Sequence, residues 1–184
     1  MATFRTSLSG SAADPSQPHL ILVGLPGSGK STVGGLLGRR LGRTFLDFDA
    51  EISRREGMTV AEIFAQRGEP AFRQLEHGLT EEVALCGGMV LAPGGGWVGQ
   101  ADAVALLRPS SRMVYLRISA RGALRRMGRK VAGRPLLQRP DPLGELERLL
   151  ALRRAVYEAA DLVVGVEHLD SQQVADHIQR QLFP

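Results

Sequence analysis

Gly24-Leu25-Pro26-Gly27-Ser28-Gly29-Lys30-Ser31 decides the fold of this 184-residue chain. The octet fills every fixed position of the phosphate-loop pattern G-x-x-x-x-G-K-[ST]. His19-Leu20-Ile21-Leu22-Val23 precedes it and reads as a short buried strand. Residues 32–41 follow as a helix, with Val33, Leu36, Leu37 and Leu41 on one stripe. Glycines let the backbone curl so that successive N–H groups form an anion nest. The unpaired N–H groups of the following helix add its positive dipole end. Gly27, Ser28, Gly29 and Thr32 are the candidate phosphate contacts. Lys30 would reach the β- and γ-phosphates, and Ser31 would ligate Mg²⁺. A plain glycine-rich turn capping a helix is the alternative, and the strand–loop–helix order argues against it.

The length suits one domain with a sizeable core. No run approaches the ~18 apolar residues of a membrane span, and the first residues lack the apolar core of a signal peptide. A cytoplasmic location is therefore expected. Cys86 is the only cysteine, which excludes an internal disulfide. The net charge of +4 permits a nucleic-acid partner, but the arginines are scattered and no aromatics interleave them. Small polyanions suit such a chain equally well, so neither a nucleic acid nor a membrane is expected as partner.

Residues 1–18, rich in Ser, Ala, Thr and Pro, read as a flexible tail, and 19–184 as one domain. Strand and helix candidates then alternate. Strands are expected at 44–47, 89–92, 112–117 and 162–166. A helix from about Ala50 breaks at Gly57, and Thr59 with Glu62 forms a capping box for the next. Gly68-Glu69-Pro70 interrupts that helix before a stretch burying Phe72, Leu75, Leu79 and Val83. Helices follow at 101–107, after Ser119, from Pro142 to about Ala160, and from Ser171. Residues 129–139, polar and broken by Gly133 and Pro135, read as an exposed loop. The alternation implies an α/β fold: a parallel sheet with helices on both faces.

Further candidates lie beyond the loop. Asp47 and Asp49 end the second strand, where spacing of two puts them on one face and open α/β sheets bind ligands. They suggest a Mg²⁺ site or a partner for substrate hydroxyls. A plain helix N-cap is the lesser alternative for Asp49; no such alternative attaches to Asp47. Arg73 and Glu76, three apart, are either a functional pair or a surface ion pair. Arg153 shares a stripe with Leu146, Leu149, Leu150 and Tyr157, so it needs an anion or a route to water past the helix edge. Gly94-Gly95-Gly96 allows close approach to backbone N–H groups, or is a tight turn. Arg134 is a solvated charge or a residue that closes over phosphates.

These motifs, in this order, resemble the shikimate kinase family over residues 19–182. They are the octet at 24–31, Phe45-Leu46-Asp47-Phe48-Asp49, Gly68-Glu69-Pro70-Ala71-Phe72-Arg73 with Glu76, the glycine triplet, Gly133-Arg134-Pro135-Leu136-Leu137, and Arg153 four before Tyr157. The resemblance implies a three-layer P-loop kinase fold. Its five-stranded parallel sheet runs in the order 2-3-1-4-5, with a mobile lid at about 128–141 and a shikimate-binding region at about 49–80. It implies transfer of the ATP γ-phosphoryl group to the 3-hydroxyl of shikimate, and a monomer is expected. Lys30, Asp49 and Arg134 would be catalytic, and Asp47 with Ser31 would hold Mg²⁺. Asp49, Arg73 and Arg153 would bind shikimate, with Glu76 orienting Arg73 and Gly95 and Gly96 offering N–H groups. Arg126 would pack on adenine. The chain departs from the pattern at Pro93, at bulky Trp97, and at residues 166–170, to which no adenine contact is assigned. Trp97 reads as a pocket wall, a surface aromatic or a contact with another chain. A kinase for gluconate or a nucleoside monophosphate, and a binding protein without turnover, are the rival readings.

Overall fold

Every residue of β1 (His19–Val23) is buried, and its side chains alternate between two apolar layers. Leu20 and Leu22 enter one layer, Ile21 and Val23 the other, as a pleat of period two requires. The computed structural model describes residues 16–128 and 140–183. With β2 (Phe45–Asp47), β3 (Val90–Ala92), β4 (Ser111–Arg117) and β5 (Leu162–Gly165), β1 forms a sheet in the order β2-β3-β1-β4-β5. All pairings are parallel, so the expected architecture and strand order are those observed.

The helices are α1 (Lys30–Leu41), α2 (Phe48–Glu56), α3 (Val60–Ala84), α4 (Ala101–Leu107), α5 (Ala120–Met127), α6 (Pro142–Glu158) and α7 (Ser171–Leu182). One apolar layer takes Val33 and Leu37 of α1, Ala123 and Met127 of α5, and Ile178 of α7. The other takes Ile52 of α2, Phe72 and Leu79 of α3, and Leu107 of α4. Helix α6 enters both, through Leu146 and Leu149 on one side and Tyr157 on the other.

Local signals set most boundaries. Thr59 and Glu62 form the capping box, with Glu62 N donating to Thr59 Oγ1 at 3.2 Å and Thr59 N to Glu62 Oε2 at 2.7 Å. Gly68, at φ 80°, breaks α3 as expected. Gly34 and Gly38 of α1 leave a groove for Phe45: a Cβ at Gly34 would overlap its ring and one at Gly38 would crowd its Cβ, so α1 lies close against β2. Gln17 and Pro18, assigned to the tail by composition, are held to the domain: Gly88 N donates to the Gln17 carbonyl at 2.8 Å and Arg43 Nη1 to that of Pro18 at 3.1 Å.

Two readings need correction. Helix α2 starts at Phe48, directly after β2, so Asp47 and not Asp49 is its N-cap, accepting from Ala50 N at 3.2 Å. Asp49 sits in the first helical turn, and the shared-face argument for an extended strand does not hold there. Helix α7 opens at Ser171 as expected, with Asp170 as its cap in a second capping box with Gln173. Trp97 is neither exposed nor available to another chain: it is 1% exposed, and Nε1 donates to Thr80 Oγ1 at 3.0 Å.

His19 is fully buried. Met89 N donates to its Nδ1 at 3.3 Å, so Nδ1 carries the lone pair and Nε2 donates to the Cys86 carbonyl, 3.1 Å away. Burial holds its pKa below the ordinary 6.5. The unfolded chain therefore binds a proton at a pH where the folded one does not. The stabilisation is full above about 6.5 and is lost as pH falls toward the lowered folded value. Wild-type Tm should accordingly drop further on mild acidification than that of His19→Gln; equal drops would remove His19 as the cause.

Candidate active site

The octet folds as its glycines dictate. Gly24, Gly27 and Gly29 hold φ of 146°, 83° and 99°, which side chains disfavour. Gly29 precedes α1, so Lys30 and Ser31 occupy the first helical turn, two residues earlier than periodicity suggests. Lys30 Nζ donates to the carbonyls of Gly24 at 3.0 Å and Leu25 at 3.3 Å. Ser31 Oγ donates to Asp47 Oδ2 across the floor of a cleft of about 520 Å³. Gly27, Gly29, Lys30, Ser31, Thr32, Asp47, Asp49 and Gly95 line that cleft. Ser28 lies underneath, 1% exposed.

The far end of the cleft is made by Arg126, Met127, Leu169, Asp170 and Ser171. Arg126 Nη2 donates to the carbonyls of Val166 and of Leu169, the latter at 3.0 Å, tying α5 to the turn before α7. Leu169 and Asp170 belong to the segment to which no contact was assigned. The capping box at Asp170 and Gln173 was the available signal, since it places a helix N-terminus after the last strand. Arg134 and most of the expected lid lie outside the described residues.

The glycine triplet is where the remaining candidates meet. A Cβ at Gly94 would stand 2.5 Å from Glu76 Oε1 and 2.8 Å from Asp49 Oδ1. One at Gly95 would stand 3.6 Å from Arg153 Nη1, and one at Gly96 would overlap the Arg73 guanidinium. The triplet is therefore a floor on which two carboxylates and two guanidinium groups rest, a requirement no simple tight turn makes. Glu76 has no exposure, so its pair with Arg73 Nη1 is not a surface ion pair. Burial pushes Glu76 up to about 7, against the pull of Arg73. Arg73 Nε and Nη2 also donate, at 3.1 and 2.8 Å, to Oε1 of Glu69, whose own side chain is nearly half exposed.

Half-buried Arg153 directs its Nη1 inward, over Gly95. Its Nη1 is buried without a hydrogen-bond partner among the described residues. Tyr157 beneath it is pushed up to about 12, chiefly by burial and against the Arg153 charge. A buried guanidinium N–H without an acceptor is costly, and a bound anion would satisfy it.

The whole arrangement can hold a polyphosphate at the octet, a small carboxylic acid between Arg73 and Arg153, and hydroxyls at Asp49. The sequence model of one family, shikimate kinase, matches residues 26–183. A shikimate kinase of Synechococcus sp. (strain RCC307) is 40% identical over 177 residues, covering 92% of this chain and 90% of its own. One of Pseudomonas aeruginosa (strain LESB58) is 41% identical over 165 residues, covering 89% and 95%. The structure of shikimate kinase from Acinetobacter baumannii in complex with shikimate superposes with a TM-score of 0.81 at 35% identity, covering 92% of this chain and 97% of that one.

Proposed function

The chain belongs to the shikimate kinase family, and from that premise we propose how its residues divide the phosphorylation of shikimate by ATP. The observation that carries the assignment of roles is Arg153 Nη1, buried above Gly95 without a partner among the described residues, beside an Arg73 laid flat on Gly96. Two guanidinium groups facing one small space suit a planar carboxylate. Asp49, on the same floor, accepts from the acceptor's hydroxyls and orients the one that attacks. The nest of the octet and Lys30 hold the transferred phosphoryl group's oxygens, where charge moves during transfer. Arg134 is proposed to close over the same phosphates, and Arg126 to border the adenine end.

Mg²⁺ fits the remaining pair. Ser31 and Asp47 supply two hard oxygen ligands in mutual contact at the start of α1, and this ion takes few protein ligands beside phosphates and water. Held there, it would neutralise phosphate charge; the protein's part is to fix the two oxygens.

The test is ADP release with Mg²⁺–ATP and a panel of acceptors. Release that requires shikimate is expected. Release with gluconate or a nucleoside monophosphate in its place would overturn the carboxylate clamp. ATP binding without release would favour a binding protein.

A further inference from the structure

A carboxylate removed from water needs donors for its oxygens. Glu76 Oε2 has two: Arg73 Nη1 from its own helix, and Gln100 Nε2 at 2.9 Å from the segment after the glycine triplet. That segment holds α3 a second time. Trp97 Nε1 donates to Thr80 Oγ1 at 3.0 Å, and Thr80 Oγ1 donates to the Glu76 carbonyl at 2.8 Å. The backbone and the carboxylate of one residue are thus both tied to residues 97–100. Neither Trp97 nor Gln100 lines the cleft.

We infer that Gln100 is a positioning residue for the substrate carboxylate: by fixing the Glu76 carboxylate, it fixes the guanidinium of Arg73 that receives the acid. The inference rests on the clamp reading of Arg73. Without the Gln100 amide, Glu76 Oε2 would depend on Arg73 alone, while Oε1 has no partner among the described residues. The carboxylate could then turn, and Arg73 with it toward Glu69, which already accepts from its other edge.

Gln100 also favours the ionised form of Glu76. The charged groups facing Glu76 are Arg73 on α3, which lowers its pKa, and Asp49 on α2, which raises it. The loop contributes the neutral Gln100, and Arg153 of α6 stands over Gly95. Burial outweighs the stabilising partners, so losing one moves protonation further up in pH.

The experiment measures shikimate Kd by calorimetry and KM for ATP in wild type, Gln100→Met, Gln100→Ser and Arg73→Ala, across the neutral pH range. Both Gln100 variants should raise shikimate Kd roughly two- to tenfold, the effect of about one hydrogen bond felt through an intermediary. KM for ATP should not change, and the pH midpoint of shikimate binding should rise. Gln100→Ser keeps a small polar group at this half-buried position and guards against misfolding of the methionine variant. Unchanged Kd and midpoint in both would overturn the inference while leaving the clamp intact, provided Arg73→Ala still weakens binding. Equal losses for ATP and shikimate with a fixed midpoint would reduce Gln100 to general packing and overturn it too. An unchanged Kd in Arg73→Ala would overturn the clamp and the inference together.

Discussion

Lys30→Ala is expected to lower kcat by roughly 10³-fold or more while shikimate binds nearly as before. Lys30 opens α1, and its ammonium lies on the carbonyls of Gly24 and Leu25, within the turn that would surround the phosphates. A cation held there serves charge that builds up only as the phosphoryl group moves. Its loss therefore falls on turnover more than on ground-state affinity. The proposed acceptor site is built from other elements, α2, α3, α6 and the glycine triplet, so shikimate Kd reports an intact fold. Single-turnover rates beside calorimetric titration with shikimate separate the two. A variant with near-normal turnover would remove Lys30 from the chemistry.

Arg153→Ala and Arg73→Ala should each weaken shikimate binding by about 2–5 kcal/mol, roughly 30- to 4,000-fold, with KM for ATP little changed. The structure separates the two by their effect on the empty protein. Arg153 carries a buried donor without an acceptor among the described residues, so its removal relieves a penalty and Tm should hold or rise. Arg73 neutralises Glu76, which has no exposure, so its removal strands a buried carboxylate and Tm should fall. The stranded group should then take up a proton, and the loss of Tm should shrink as pH is lowered. Unchanged shikimate Kd in both variants, whatever Tm does, would defeat the clamp.

Much of this was legible because it is local. The octet, the apolar run of β1, the capping box at Thr59 and Glu62, and the break at Gly68 each depend on a few neighbours in sequence. Their spacing carries them without help from the rest of the chain. The start of α2 was misplaced because no loop separates it from β2. An Asp at the end of a strand and an Asp at a helix cap look alike until the junction is seen. Trp97 and Gln100 were opaque for a different reason. Both are recognised by partners on α3, 17 and 24 residues earlier. The same is true of Gly94 and Gly96, whose lack of a side chain answers to Glu76, Asp49 and Arg73, not to any turn of their own.

The alternation of β1 between two apolar layers has a bearing on how such a catalyst could be altered. The elements beside the proposed nucleotide end, α1, α5 and α7, draw on one layer, and those beside the proposed acceptor site, α2, α3 and the residues after the triplet, draw on the other. Sequence libraries confined to the acceptor-side layer could therefore explore new acids while the donor machinery stays as it is. Helix α6 is the exception. It plants Leu146 and Leu149 in one layer and Tyr157 in the other, with Arg153 between them. A redesign that repacks α6 would disturb both halves at once, and it is the helix to leave untouched.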